Sequence, residues 1–234
     1  MQVRKFILFL LTAIILVASC KKDPIDDKDV DSDKKYFPLK TGNYIIYKIT
    51  EITIDAPSEY YDTVKYFIKE YVEDTIIDNQ NDIAYRLERH KKINQDDPWE
   101  IYNVWQSKLI NNMAHKVEEN LRFVKIRFPL KIDLSWNGNV YNDMDEQKYE
   151  ITELNVSKTI NGHSFDHCLT VMQNDAVSLI HKELHYEIYA FNVGLIYKEH
   201  TSLNSQEVIY GVPIEERITT GTIYIQELVS YSVD

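Results

Sequence analysis

The twelve residues LIHKELHYEIYA, at positions 179–190, alternate between two kinds of side chain. Most alternate positions on one side are apolar, namely Ile180, Leu184, Tyr186, Ile188 and Ala190. The positions between them are largely polar and include His181, Glu183, His185 and Glu187. This period of two is typical of an antiparallel strand with one face on a core and the other in water.

The same alternation recurs over residues 43–54 and 64–72. The chain also holds 17 Tyr, a residue that suits a pleated sheet, and helix is expected only at 114–123 and 143–149. Turn signals such as Asn161-Gly162 separate the strands. The sequence therefore predicts an all-β, antiparallel fold of about ten strands.

The phrase FPLK occurs twice, at 37–40 and at 128–131. Proline presets an extended backbone and gives no ladder donor, so it suits the first residue of a strand. The two phrases indicate a duplicated unit, with pseudo-repeats at 36–127 and 128–234 of one β domain spanning 36–234. We expect two related halves that form a curved sheet or open barrel; two packed β lobes are the alternative.

The first nineteen residues read as an export signal. Arg4 and Lys5 precede an apolar run at 6–17 that is too short to span a bilayer. The signal closes on LVASC at 16–20. Behind it, residues 20–35 carry six Asp and five Lys, a composition that predicts a disordered acidic tether.

LVASC resembles the lipobox of bacterial lipoproteins, although Val17 stands where Leu is commonest. The resemblance implies cleavage before Cys20 and lipidation of its thiol, with acyl chains such as palmitate as the membrane anchor. It further implies the outer membrane of a Gram-negative bacterium, facing the periplasm or the cell surface. The tether also resembles the acidic segment that sends some lipoproteins to the surface; a plain spacer and an ordinary signal peptide are the alternatives.

Four stretches are similar to a group of uncharacterised exported lipoproteins: FPLKTGNYIIY, FPLKIDLSW, TINGHSFDHCLTV and YEIYAFNVGLIYKE. The resemblance covers most of residues 36–200 and implies the fold but no activity. The second opening departs from the group's pattern, with Asp133 where the first has Gly42.

Charge and cysteine content exclude several classes of protein. Lys and Arg number 26 against 37 Asp and Glu, for a net charge of −11, so nucleic acid is not an expected partner. Once Cys20 is lipidated, Cys168 is the remaining thiol, and we expect it to be a small buried hydrophobe.

Two histidine pairs, His163/His167 and His181/His185, have the i,i+4 spacing that would bring imidazoles together on a helix. On a strand the same spacing separates the Cα atoms by about 13 Å, so neither a metal site nor a cofactor is expected.

Two acidic pairs, Glu118-Glu119 and Glu215-Glu216, are expected at the solvated surface, and no catalytic residue is predicted. Trp99, Trp105 and Trp136 suit either a core or a platform on which sugars stack.

The sequence thus predicts a membrane-anchored envelope lipoprotein that is a non-catalytic module for a ligand, such as a glycan, or for an envelope protein. One alternative is a periplasmic carrier of lipid or another apolar ligand, and another is a hydrolase of envelope polymers. The ligand-binding residues are not predicted.

Overall fold

The computed structural model describes residues 27–233, which form one antiparallel sheet of twelve strands. The strands are β1 (Tyr44–Asp55), β2 (Tyr60–Ile77), β3 (Ile83–Lys92), β4 (Glu100–Ile110), β5 (Met113–Glu118), β6 (Leu121–Arg127), β7 (Ser135–Asn137), β8 (Lys148–Ile160), β9 (His163–Val177), β10 (His181–Ala190), β11 (Gly194–Asn204) and β12 (Thr220–Ser232). The all-β antiparallel prediction is confirmed, with twelve strands where about ten were expected.

The prediction of helices at 114–123 and 143–149 is wrong. Most of the first segment is the hairpin of β5 and β6, which turns at Glu119 and Asn120 with φ of 48° and 66°. The second is a loop that leads into β8.

The strands follow the order β6-β5-β4-β3-β2-β1-β12-β11-β10-β9-β8-β7. Strands that are neighbours in the chain pair with each other, except β6 and β7, which are the two edges; β1 also pairs with β12. The edge strands β6 and β7 come together as well, because Val124 N donates to Gly138 O at 2.9 Å and Trp136 Nε1 donates to Val124 O at 2.8 Å. The result is one nearly closed, barrel-shaped sheet and not two packed lobes.

The two FPLK phrases are followed by turns with the same hydrogen bonds, although the Phe-Pro peptide bond is cis in the second phrase and not in the first. After the first, Gly42 N donates to Val72 O at 2.9 Å; after the second, Asp133 N donates to Ile151 O, also at 2.9 Å. Val72 N donates in return to Asn43 O. In the second turn, Ile151 N donates to Leu134 O. Asp133 has a φ of 65° and Gly42 one of 99°, so the exchange of Gly for Asp keeps a left-handed backbone.

A short N-terminal segment packs across one end of the sheet. It consists of helix α1 (Asp27–Asp33) and a 3₁₀ turn (Lys34–Tyr36). Asp33 Oδ2 accepts from Leu130 N at 2.7 Å, and Asn192 N donates to Lys35 O at 2.8 Å. We call this the closed end; the opposite end, with the connections β1–β2, β3–β4, β5–β6, β9–β10 and β11–β12, is the open end.

The expected tether at 20–35 is therefore ordered from residue 27 onward. Val30 is buried among apolar side chains together with Tyr36, which explains why this acidic stretch packs against the sheet. Cys20 and the rest of the expected tether lie outside the described residues.

Strand β10, the one with the clearest alternation, is buried on both faces near its end. Glu187 is 1% exposed and the next residue, Ile188, is 6% exposed. Ile188 packs with Cys168, which is fully buried as expected. The expectation of a solvent-facing polar side fails here, since Glu187 turns into the interior.

Candidate binding cup at the open end

The sheet register shows which side chains share the inner face. Glu187 stands opposite Lys198, Lys198 opposite Gln226, Gln226 opposite Ile49, and Ile49 opposite Tyr66. Residues directly opposite on neighbouring strands point to the same side of a sheet. The row therefore carries charged and polar groups across five strands of the inner face.

A layer of charged side chains crosses the interior at mid-height. We call it the charged layer; its members are Glu70, Arg89, Lys116, Glu118, Lys125, Glu187 and Lys198. Lys116 Nζ lies 2.8 Å from Glu70 Oε1, and Lys125 Nζ lies 2.9 Å from Glu187 Oε1. These strands are not neighbours in the sheet, so the ion pairs join opposite walls.

Two lysines of the layer, Lys125 and Lys198, differ in how well they are paired. Burial alone would lower the pKa of Lys125, but Glu118 and Glu187, at 3.1 and 2.9 Å, outweigh it and raise that pKa. Lys198 Nζ is 3.7 Å and 3.6 Å from the same two carboxylates, and burial lowers its pKa. Lys198 is thus a buried ammonium with loose partners.

The cavity below the charged layer is small. It has a volume of about 70 Å³ and is lined by apolar groups such as Phe37, Leu39 and Val72 together with Glu70 and Lys116. Ligand pockets commonly measure roughly 300–1,000 Å³. The interior below the charged layer therefore has little room for a ligand, and the larger cavity at the closed end, of about 460 Å³, is a surface groove beside Lys34, Lys35 and Lys40.

A larger cavity of about 250 Å³ lies above the layer, toward the open end. We call it the cup. Its walls include Tyr66, Tyr102, Trp105, His200, Tyr224 and Gln226, and its floor includes Lys116, Glu118 and Lys198.

Aromatic rings of the cup hold cations in place. The Arg89 guanidinium stacks 3.8 Å from the centre of the Trp105 ring, and Lys91 Nζ lies 3.8 Å from that of Tyr66. Carboxylates at the rim are engaged too, since Glu51 accepts from Tyr66 at 2.7 Å and Glu119 accepts from Trp105 Nε1 at 3.1 Å.

Two residues that line the cup, Arg89 and His200, each have a buried side-chain nitrogen without a hydrogen bond among the described residues. These atoms are Arg89 Nε, which lies 3.4 Å from Glu70 Oε2, and His200 Nε2. The His200 ring stacks on His185 at 4.5 Å between centroids. Burial, then Lys198 and His185, lower the pKa of His200 to about 3, so this ring is neutral at physiological pH.

The histidine pairs singled out in the sequence lie on strands, as expected. His163 and His167 belong to β9, where His163 Nε2 contacts Val229 O at 2.9 Å. His181 and His185 belong to β10 and both approach Glu183. Residues 27–233 hold no group of three or more potential ligands arranged around a metal position.

The acidic pairs divide between interior and surface. Glu118 was expected in solvent, but its side chain is only 14% exposed because it pairs with Lys125 in the charged layer. Its neighbour Glu119 lies at the rim of the cup. Glu215 is exposed as expected and pairs with Lys182.

The three tryptophans do not form one platform. Trp136 belongs to the core, Trp105 lines the cup, and Trp99 lies on the outer face beside Lys92. The residues that matter most here, Arg89, Lys198 and His200, were not predicted. Their signal is a charged or polar residue at every second position of a strand, a pattern that usually marks a solvent face.

Comparisons with known proteins add little. No protein-family model and no curated protein matches the chain. Among solved structures, a "putative lipoprotein" from Parabacteroides distasonis ATCC 8503, solved at 2.70 Å, matches with 13% identity and a TM-score of 0.38, over 83% of this chain and 98% of that one. We draw no structural or functional conclusion from a likeness this weak. Within residues 27–233, no helix is long and apolar enough to cross a bilayer.

Proposed function

We propose that the protein is a membrane-anchored envelope lipoprotein whose sheet binds a small polar ligand, without catalysis, in the cup. The anchor is the acylated Cys20, and the setting is the outer membrane of a Gram-negative bacterium. The observation that carries the binding role is the cup itself, an open cavity of about 250 Å³ with a charged floor and with two lining residues that have a buried nitrogen without a hydrogen bond.

The orientation of the body supports this role. Asp27, the first described residue, begins the segment that packs on the closed end, so an anchor upstream of it approaches that end. The cup opens at the other end, away from the membrane and toward its ligand.

The carrier alternative has weaker support. An acyl chain needs a long apolar cavity, whereas the more apolar of the two interior cavities is about 70 Å³ and has Glu70, Glu118 and Lys116 in its lining. A hydrolase would need a free carboxylate poised as an acid or base, and those of the cup are engaged by donors.

Substitution of the acylated cysteine tests the anchor. We expect Cys20→Ser to leave the membrane fraction and to lose incorporation of labelled palmitate. Cys168→Ala is the matched control, because it removes the buried thiol and keeps Cys20. Recovery of Cys20→Ser in membranes at the wild-type level would overturn the anchor.

Protease treatment of intact and lysed cells decides which side of the membrane the cup faces. Digestion in intact cells places the body at the cell surface, whereas survival until lysis places it in the periplasm.

Two tryptophan variants test the cup. We expect small polar compounds, screened at millimolar concentration, to raise the melting temperature of the wild type by binding the folded state. Trp105→Ala should abolish that shift, and Trp99→Ala, which changes a tryptophan of the outer face, should keep it. A ligand that stabilises both variants equally binds outside the cup and contradicts the proposal.

A further inference from the structure

The charges within the charged layer do not balance when the rim carboxylates Glu51 and Glu119 are left aside. In the charged layer four cations, Arg89, Lys116, Lys125 and Lys198, stand with three carboxylates, those of Glu70, Glu118 and Glu187. Desolvated charges are stable only when paired, so one positive charge of the layer lacks a full partner.

The surplus does not fall on one residue, since Arg89 and Lys116 share Glu70 while Lys125 and Lys198 share two carboxylates. Lys198 is nevertheless the most loosely paired lysine of the layer. Lys116 and Lys125 each have a carboxylate oxygen within 3 Å, while the nearest carboxylate of Lys198 is 3.6 Å away. Lys198 also lines the cup, and its side chain is 13% exposed.

Other polar side chains line the same cavity. His200 lies two residues beyond Lys198 on β11 and has a buried Nε2 without a hydrogen bond. Tyr224 stands opposite His200 and interacts with the Arg89 guanidinium, whose Nε is also without a hydrogen bond. The rim carboxylates already accept bonds, so a ligand that fits must bring acceptors.

From this surplus we infer that the cup binds a small organic monoanion, a carboxylate, with Lys198 as its main ionic partner and Arg89 and His200 beside it. A single negative charge matches the one positive charge by which the cations of the layer exceed its carboxylates, whereas a phosphate dianion would leave a buried negative charge in excess. The inference rests on the proposed binding role of the cup and specifies its ligand class.

The test uses matched charged and neutral probes. Benzoate and benzamide, and glucuronate and glucose, are titrated into the folded wild-type protein by calorimetry, with inorganic phosphate as the dianion. We expect at least one carboxylate to bind more tightly than its neutral partner by roughly tenfold or more, since hydrogen bonds to charged groups contribute about that much.

Variants locate the ionic partner. Lys198→Met keeps the alkyl stem and should weaken carboxylate binding by about tenfold, while Lys198→Arg should retain most of it. Lys182→Met is the control, because Lys182 pairs with the exposed Glu215 away from the cup.

Several results would overturn the inference: equal binding of charged and neutral partners, tighter binding of phosphate, or unchanged binding by Lys198→Met. Neutral probes that bind and are lost in Trp105→Ala would keep the cup as a binding site and remove only the anion preference. No binding by any probe to the folded protein would remove both.

Discussion

The two halves of the sheet begin alike and then diverge. Each opens with FPLK, and each turn makes the same pair of backbone bonds to the next long strand, at Val72 in β2 and at Ile151 in β8. Yet β1 runs for twelve residues and β7 for only three. The reason lies in their neighbours, because β1 pairs on both sides whereas β7 is an edge strand with β8 as its ladder partner.

The comparison shows what a short phrase determines. FPLK and the residues after it fix a turn and its hydrogen bonds, while the length of the following strand depends on the partners available to it. The two halves also share one interior, since ion pairs of the charged layer join them.

The largest loss of stability is expected from a substitution that removes an ion pair between the two halves. Lys125 lies in β6 of the first half and Glu187 in β10 of the second, and Glu187→Leu leaves the buried ammonium poorly paired. We expect a loss of roughly 3–5 kcal/mol in the free energy of unfolding, measured with urea. Lys125→Met combined with Glu187→Leu should recover part of this loss.

The control for that pair is Glu215→Leu, which removes an exposed ion pair and should cost less than about 1 kcal/mol. A loss below about 1 kcal/mol for Glu187→Leu would mean that the pair does not hold the halves together.

A smaller loss of stability is expected from matched substitutions in the two FPLK phrases. Leu39 and Leu130 occupy the same place in the two FPLK turns, and both are partly buried against the same apolar cluster. Truncation of each to Ala should cost about 2 kcal/mol, near the low end for leucine because neither side chain is fully buried. Unfolding free energies that differ by more than about 1.5 kcal/mol would show that the two turns are not energetically equivalent.

We expect acid to lower the free energy of unfolding, because each half of the sheet contains a buried histidine with a lowered pKa. Burial, then nearby cations, lower the pKa of His115 in the first half to about 4 and that of His200 in the second to about 3. Below pH 6.5 the unfolded chain binds protons that the folded protein does not, so stability is full above pH 6.5 and falls as the pH decreases toward 4.

Each of these histidines should contribute up to about 1.4 kcal/mol per pH unit in that window. His115→Gln and His200→Gln should each reduce the slope of the unfolding free energy against pH by the contribution of one proton. If both variants keep the wild-type slope, the two rings are not the groups that titrate.

The smallest effect concerns the left-handed residues of the turns. A Cβ at Gly42 would meet no atom within 4 Å, so Gly42→Ala should cost about 1 kcal/mol through its positive φ alone. Asp133→Gly should change the free energy of unfolding by less than about 0.5 kcal/mol. Glycine removes the strain of a left-handed backbone at this position, and this gain offsets the greater conformational entropy of glycine in the unfolded chain. Thermal melts of the two variants test this; a larger loss for Asp133→Gly would reveal a role for its carboxylate.

Much of the fold follows from the sequence because strand formation depends on local alternation. The segment 179–190 was expected to be a strand and forms β10 from His181 to Ala190, and each FPLK phrase precedes a turn and a strand. What period two does not reveal is which face lies inside. The alternation of Glu187 with apolar residues is the pattern of a solvent face, and only the pairing with Lys125 across the interior makes its burial possible.

The cup was missed for the same reason. Arg89, Lys198 and His200 come from distant strands, and nothing local distinguishes them from surface residues. The β5–β6 hairpin was mistaken for helix because its turn, at Glu119 and Asn120, lacks glycine and proline.

The order of the strands has a consequence for how the protein acquires its shape. Every strand pair but one joins neighbours in the chain, and such hairpins form from local contacts within microseconds. The pair β1–β12 alone must wait for the strands between them, at a high entropy of loop closure. Folding should therefore end with this pairing, and until β12 has been made, β1 and β11 present open edges that invite aggregation. A chaperone that shields those edges during export would act at the position that β12 later fills between β1 and β11.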